Sequence, residues 1–156
     1  MVKANINLEK NTIDKVSEIL NRVLSDEYVL YTKTRNFHWN VTGFHFNDLH
    51  KFFEEQYEEL NETIDEVAER IRMLGVYTKA TMKHFLGNSS IKESEKYIDS
   101  NKMIQELLLD HEKIIGMLRK DIEIVGEIGD AGNDDFLTAL LQKHEKMAWM
   151  LRSMIE

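Results

Sequence analysis

His38 and His50, followed by Asp65 and Glu69, are side chains able to bind a metal, and Glu54 stands one helical turn beyond His50. Imidazole nitrogens combined with carboxylate oxygens suit iron, manganese or zinc, and ligand softness alone does not choose among them. The chain contains no cysteine, which removes thiolate zinc sites, disulfides and thiol catalysis together. Any metal must therefore be held by histidine and carboxylate. The carboxylates belong to an unusual run. Between Phe52 and Glu69 there are eight acids (Glu54, Glu55, Glu58, Glu59, Glu62, Asp65, Glu66, Glu69) and no Lys or Arg, while outside it acids and bases are equal in number. The whole formal charge of −8 lies in that segment. Its like-charged i,i+4 pairs oppose helix formation by roughly 1–2.5 kcal/mol in total, a cost that bound cations would offset.

The elements that must position these groups read as helices. Ile13, Val16, Leu20, Val23, Leu24, Tyr28 and Tyr31 give an amphipathic helix from about Leu8 to Phe37, and no proline interrupts it. Asn40 to Gly43 supplies a turn. A second helix spans about Asn47 to Leu74, with Leu49, Phe53, Leu60, Ile64, Val67 and Ile71 on its seam and Gly75 as its stop. Ala80 to Leu86 predicts a short connector helix. A third long helix covers about Asn101 to Val125, and a fourth begins at a cap, Asp134 or Asp135, and ends near Ile155. The expected fold is all-α, a four-helix bundle formed by one domain over residues 1–156.

Helical geometry then says what the ligands can do. Glu54, Asp65 and Glu69 lie about 40°, 60° and 100° around the axis from His50, so they share one broad face. They do not share a site. His50 and Asp65 are separated by about 22 Å of helical rise, whereas ligands of one metal sit about 4 Å apart or less. Two copies of this helix, antiparallel about a twofold axis near Tyr57 to Glu59, bring His50 of one chain level with Asp65 and Glu69 of the other. His38 reaches the level of His50 across the hairpin. The spacing predicts an intersubunit metal site. The Glu-x-x-His pairs of ordinary di-iron bundles are absent, because no histidine here has a glutamate three residues before it.

The segments Thr34-Arg35-Asn36-Phe37-His38-Trp39-Asn40-Val41-Thr42-Gly43, Leu49-His50, Asp65-Glu66-Val67-Ala68-Glu69-Arg70-Ile71 and Leu74-Gly75 resemble the signature of the Dps family. These are the miniferritins named as DNA-binding proteins from starved cells. The tail from His144-Glu145-Lys146 to Trp149-Met150-Leu151-Arg152 is also similar, so the likeness covers nearly the whole chain. The resemblance implies a ferritin-like four-helix bundle with a short connector helix between the second and third helices. It implies a homododecamer built on twofold dimers and a ferroxidase that oxidises Fe(II) with hydrogen peroxide. Ferric mineral would be stored inside the shell, protecting against oxidative damage.

Carried over by position, Asp65 and Glu69 of one subunit and His38 of its partner would hold the first of two irons at each intersubunit site. His50 would serve the second, and Glu54 would be an additional carboxylate. His38, His50, Asp65 and Glu69 are thus the expected catalytic set. Trp39 matches an aromatic residue that could take up stray oxidising equivalents, and Asp130, Asp134 and Asp135 resemble acids lining threefold iron-entry pores.

The alternative is a DNA-compacting stress protein with an incidental metal site. The family's Lys-rich N-terminal tail is reduced here to Lys3 and Lys10, and a pI near 5.3 opposes binding to phosphate backbones, so DNA binding is expected to be weak or absent. A non-enzymatic helical interaction module is a second alternative. No apolar stretch reaches the ~20 residues of a membrane span and the N-terminus carries no apolar signal core, which predicts a cytoplasmic protein without membrane contact. His45, His84, His111 and His144 read as surface or satisfied core residues. Glu55, Glu58, Glu59, Glu62 and Glu66 read as a solvated lining.

Overall fold

The computed structural model describes residues 4–155, so Lys3 lies outside the described residues. Four long helices, α1 (Lys10–Asn40), α2 (Phe46–Met73), α4 (Ser100–Glu127) and α5 (Ala131–Ser153), surround one apolar core, and a short α3 (Met82–Asn88) lies in the connection between α2 and α4. No strand occurs among the described residues. The helices pair chiefly as two hairpins, α1 with α2 and α4 with α5. The core collects the expected seams: Val16, Leu20, Val23 and Leu24 from α1; Phe53, Leu60, Val67 and Ile71 from α2; Leu107, Ile114 and Leu118 from α4; Leu137 and Leu151 from α5. No helix among the described residues is long and apolar enough to cross a membrane.

The ends of the helices differ from expectation for identifiable reasons. α1 runs on to Asn40, where the Asn40 side chain donates back to the Asn36 carbonyl at 2.9 Å. α3 starts later than Ala80 because Thr81 acts as its N-cap, accepting from the His84 amide at 3.2 Å. α4 is capped by Asp99. The largest correction concerns α5. Neither Asp134 nor Asp135 caps it; Asp130 does, accepting from the Asn133 amide at 3.2 Å and from the Asn133 side chain at 2.6 Å. The helix therefore begins at Ala131, and Gly132 falls within its first turn. An Asx cap satisfies otherwise orphaned amides, and that local bond outweighs the low helix propensity of a nearby glycine.

Gly75 closes α2 with a left-handed φ of +79°, and an added Cβ would lie 2.9 Å from the Cβ of Ala4. Strained backbone and crowding then act together. Gly75→Ala is expected to destabilise the fold by about 1–2 kcal/mol. Urea unfolding of the two proteins measures this, and equal midpoints would show that the N-terminal segment does not pack on the end of α2.

Candidate metal centre

His38 lies in the last turn of α1 and His50 in the second turn of α2, and the short hairpin sets them face to face. Their rings stack at 3.8 Å with an interplanar angle of 19°. Each ring donates from Nδ1 to the other residue's backbone carbonyl: His38 Nδ1 to His50 O at 2.7 Å, and His50 Nδ1 to His38 O at 2.9 Å. A carbonyl oxygen can only accept, so both Nδ1 atoms must carry the proton. Both Nε2 atoms then keep a free lone pair. The pattern also fits the backbone, because the carbonyls of a helix's last turn have no partner within the helix. A ring nitrogen fixed by a carbonyl, with its other nitrogen bare, is the arrangement of a metal-ligating histidine.

Aromatic and cationic groups surround the pair. Tyr57 meets His38 edge-on at 5.2 Å, and its hydroxyl donates to Glu54 Oε1 at 3.3 Å. Burial, and next to it the charge of Glu54, push the Tyr57 phenol above its ordinary value, so it stays a donor. The Arg35 guanidinium lies 5.1 Å from the ring centres of both Tyr57 and Trp39, and also faces Tyr31. Phe46 stacks on His50. Beside the histidines, Trp39 is 65% and Phe44 98% exposed, so this end of the hairpin presents an apolar surface to its surroundings.

Asp65 and Glu69 stand apart on the exposed side of α2. The structure brings together His38 and His50, with Glu54 half-buried one turn on, but the two expected carboxylates remain far along the helix. Among the described residues no group of three or more His, Asp or Glu converges to hold a metal within one chain.

A sequence model of the ferritin-like domain matches residues 17–156. "DNA protection during starvation protein 2" of Bacillus anthracis is 40% identical over 141 residues, covering 90% of this chain and 97% of that protein. A low temperature-induced protein of Nostoc is 43% identical over 100% of this chain and 88% of its own length. The crystal structure of the DPS protein of Vibrio cholerae superposes with a TM-score of 0.94 at 33% identity, over 100% of this chain and 98% of that one. The chain belongs to the Dps family. Its bundle is ferritin-like, and the short helix between α2 and α4 is where the resemblance of the Dps signature put it.

Two groups of residues in this Dps chain escaped the sequence reading. Tyr57 and Arg35 frame His38, and the signals were the heptad from His50 to Tyr57 and the four-residue steps from Tyr31 to Arg35 to Trp39. The second group lies in the core. Glu27, His111 and His144 are fully buried, from α1, α4 and α5 respectively. His144 Nε2 lies 2.7 Å from Glu27 Oε1, and His144 Nδ1 lies 2.9 Å from His111 Nδ1. His144 is satisfied at both nitrogens, as a core histidine should be. His111 is not, since its Nε2 has no partner. The signal was position, because His111 falls on the buried stripe of Leu107, Ile114 and Leu118. His45 is exposed and His84 half-buried. At the other end of the bundle, Asp130 is buried in its cap, which leaves Asp134 and Asp135 as the carboxylates of that first turn open to solvent.

Burial, with a smaller contribution from the neighbouring His144, holds the His111 imidazole well below its ordinary value. The native state therefore resists a proton that the unfolded chain accepts below about pH 6.5. Stability depends on pH through that difference, being unaffected above about pH 6.5 and falling as the pH drops below it. In chelator-treated protein, His111→Gln should make the loss of stability between pH 7 and 5 shallower. Parallel denaturant midpoints across that range in the two proteins would overturn this.

Proposed function

We propose that the chain is a ferroxidase and iron store: it oxidises Fe(II) with hydrogen peroxide at sites shared between two copies, and deposits ferric mineral within a dodecameric shell. The observation that carries the reading is the reciprocal bonding of His38 and His50, which leaves two Nε2 lone pairs side by side with no carboxylate of their own chain to complete a site. Asp65 and Glu69 of a second, antiparallel copy are the complement that the helix spacing supplies. The donors fit the ion: two neutral imidazoles and hard carboxylates suit iron, although they would also accept zinc or manganese. The Vibrio cholerae protein is described as a member of a superfamily of ferritin-like diiron-carboxylate proteins, which supports the same assignment here.

Ferrous iron is the substrate. Asp65 and Glu69 of one copy with His38 of the other hold the first ion, and His50, with Glu54 nearby, serves the second. Two ions held together let peroxide receive two electrons at one place, with no hydroxyl radical released. The protein's part is geometric and electrostatic. The backbone carbonyls lock both imidazoles, Tyr57 holds Glu54, and the apolar surface of Trp39, Phe44 and Phe46 is covered by the partner copy, which keeps bulk water from the site. The other acids of α2 line the interior and raise the local concentration of cations. Trp39, next to the site, is placed to supply an electron when only one iron is present. Asp134 and Asp135 are the remaining candidates for an entry pore. The relative from Bacillus anthracis is named for DNA protection; with a net charge of −8 here, protection would come from consuming iron and peroxide instead of coating DNA.

Anaerobic loading with Fe(II) followed by peroxide, read by ferric absorbance and peroxide loss, should show about two irons oxidised per peroxide in the native protein. Asp65→Ala/Glu69→Ala should reduce the rate to that of iron without protein. Equal rates would discard the reading. A mixing experiment isolates the shared site. His38→Ala/His50→Ala and Asp65→Ala/Glu69→Ala chains are each inactive, but co-assembled in equal amounts they should recover about a quarter of native activity, since half of the twofold pairs are mixed and each has one intact site. No recovery would mean that each site is built within one chain.

A further inference from the structure

Glu27, His144 and His111 form a line across the bundle core, and the line does not balance as it stands. Glu27 Oε1 accepts from His144 Nε2, and the two Nδ1 atoms of His144 and His111 face each other at 2.9 Å. One proton must lie between those nitrogens, since two lone pairs repel and two N–H groups collide. With that proton on His111, the line carries the full negative charge of Glu27, and His111 Nε2 is an acceptor without a donor. With His144 doubly protonated, the charges cancel but His111 Nε2–H has no acceptor. Glu27 Oε2 and His111 Nε2 are both buried without a partner. An unmatched buried polar group of this kind is costly, and a buried charge more so. The cluster is short of a cation.

We infer that the facing Nδ1 atoms of His111 and His144 bind one divalent transition-metal ion of the zinc class inside each chain, with Glu27 holding the His144 proton on Nε2. The ion replaces the shared proton, and its charge compensates Glu27. A carboxylate that binds the far nitrogen of a metal-bound imidazole is a common way of fixing the ring and raising its basicity. Zn–N bonds of about 2.0–2.1 Å in tetrahedral geometry place two nitrogens about 3.3–3.4 Å apart, so the rings need to separate by only a few tenths of an ångström. Burial keeps His111 neutral, the state a ligand requires. This site lies within one bundle, uses none of the residues of the shared centre, and stands or falls separately from it.

The test uses protein in which His38→Ala and Asp65→Ala have removed the shared ligands, expressed in zinc-supplemented medium and passed through EDTA on a sizing column. Emission spectroscopy should find about one zinc per chain. Adding His111→Gln should lower that to below about a tenth, and Glu27→Gln should weaken retention against a competing chelator by about 10–100-fold. X-ray absorption at the zinc edge should show two imidazole ligands. Less than a tenth of a zinc per chain in the starting protein would overturn the proposal, as would equal zinc with and without His111→Gln. Should His111→Gln fail to fold, unchanged retention in Glu27→Gln overturns it instead.

Discussion

Two hydrogen bonds at the α1–α2 hairpin, each from an imidazole to the other residue's carbonyl, set the terms for the rest of the molecule. They tie the end of one 31-residue helix to the start of another and fix both ring tautomers without any side-chain acceptor. Because the acceptors are backbone atoms, the orientation of the rings is as rigid as the hairpin itself. Helix rise then dictates what those rings can meet. At about 1.5 Å per residue, α2 carries Asp65 and Glu69 well beyond the reach of its own histidines. A straight helix cannot bring its two ends together, so a complete ligand set requires a second helix running the other way.

The acidic face of α2 can be maintained because a different term dominates its stability. Like-charge repulsion along the helix amounts to roughly 1–2.5 kcal/mol. Phe53, Leu60, Val67 and Ile71 on the opposite face are essentially inaccessible, and each buried side chain of that size contributes about 1.5–3 kcal/mol. Apolar burial exceeds the repulsion several-fold. Among the described residues, Glu66 alone of the eight acids is in an ion pair, with Lys143 at 2.8 Å. The remaining carboxylates are left available to cations from solution, and the helix folds without them.

What the sequence made legible follows from what is periodic. The long helices, their seams and the wide separation of His50 from Asp65 all derive from the period and rise of one helix, and those constraints are local. Helix ends depend on single side chains: Thr81, Asp99 and Asp130 each cap by one hydrogen bond, and two adjacent acids at 134 and 135 looked as suitable as Asp130 until the backbone chose. Contacts between distant segments were the least visible. Nothing in the spacing of Glu27, His111 and His144 announces that three helices will bring them into line, because their registry depends on how two hairpins dock.

The two histidine pairs show how the same chemistry serves different ends according to its surroundings. At the hairpin, the imidazoles donate to carbonyls, their free nitrogens face an open surface, and the negative charge they need sits on another copy. In the core, one imidazole is held by a carboxylate of its own chain, both rings are sealed from water, and the atoms left over have nowhere to turn. An open pair can wait for a substrate, since solvent satisfies it in the meantime. A sealed pair has no such recourse, and an unmatched charge in a dry interior is corrected either by a proton taken from the bulk or by an ion acquired as the chain folds. With burial already disfavouring the extra proton on His111, the ion is the correction that leaves its ring neutral.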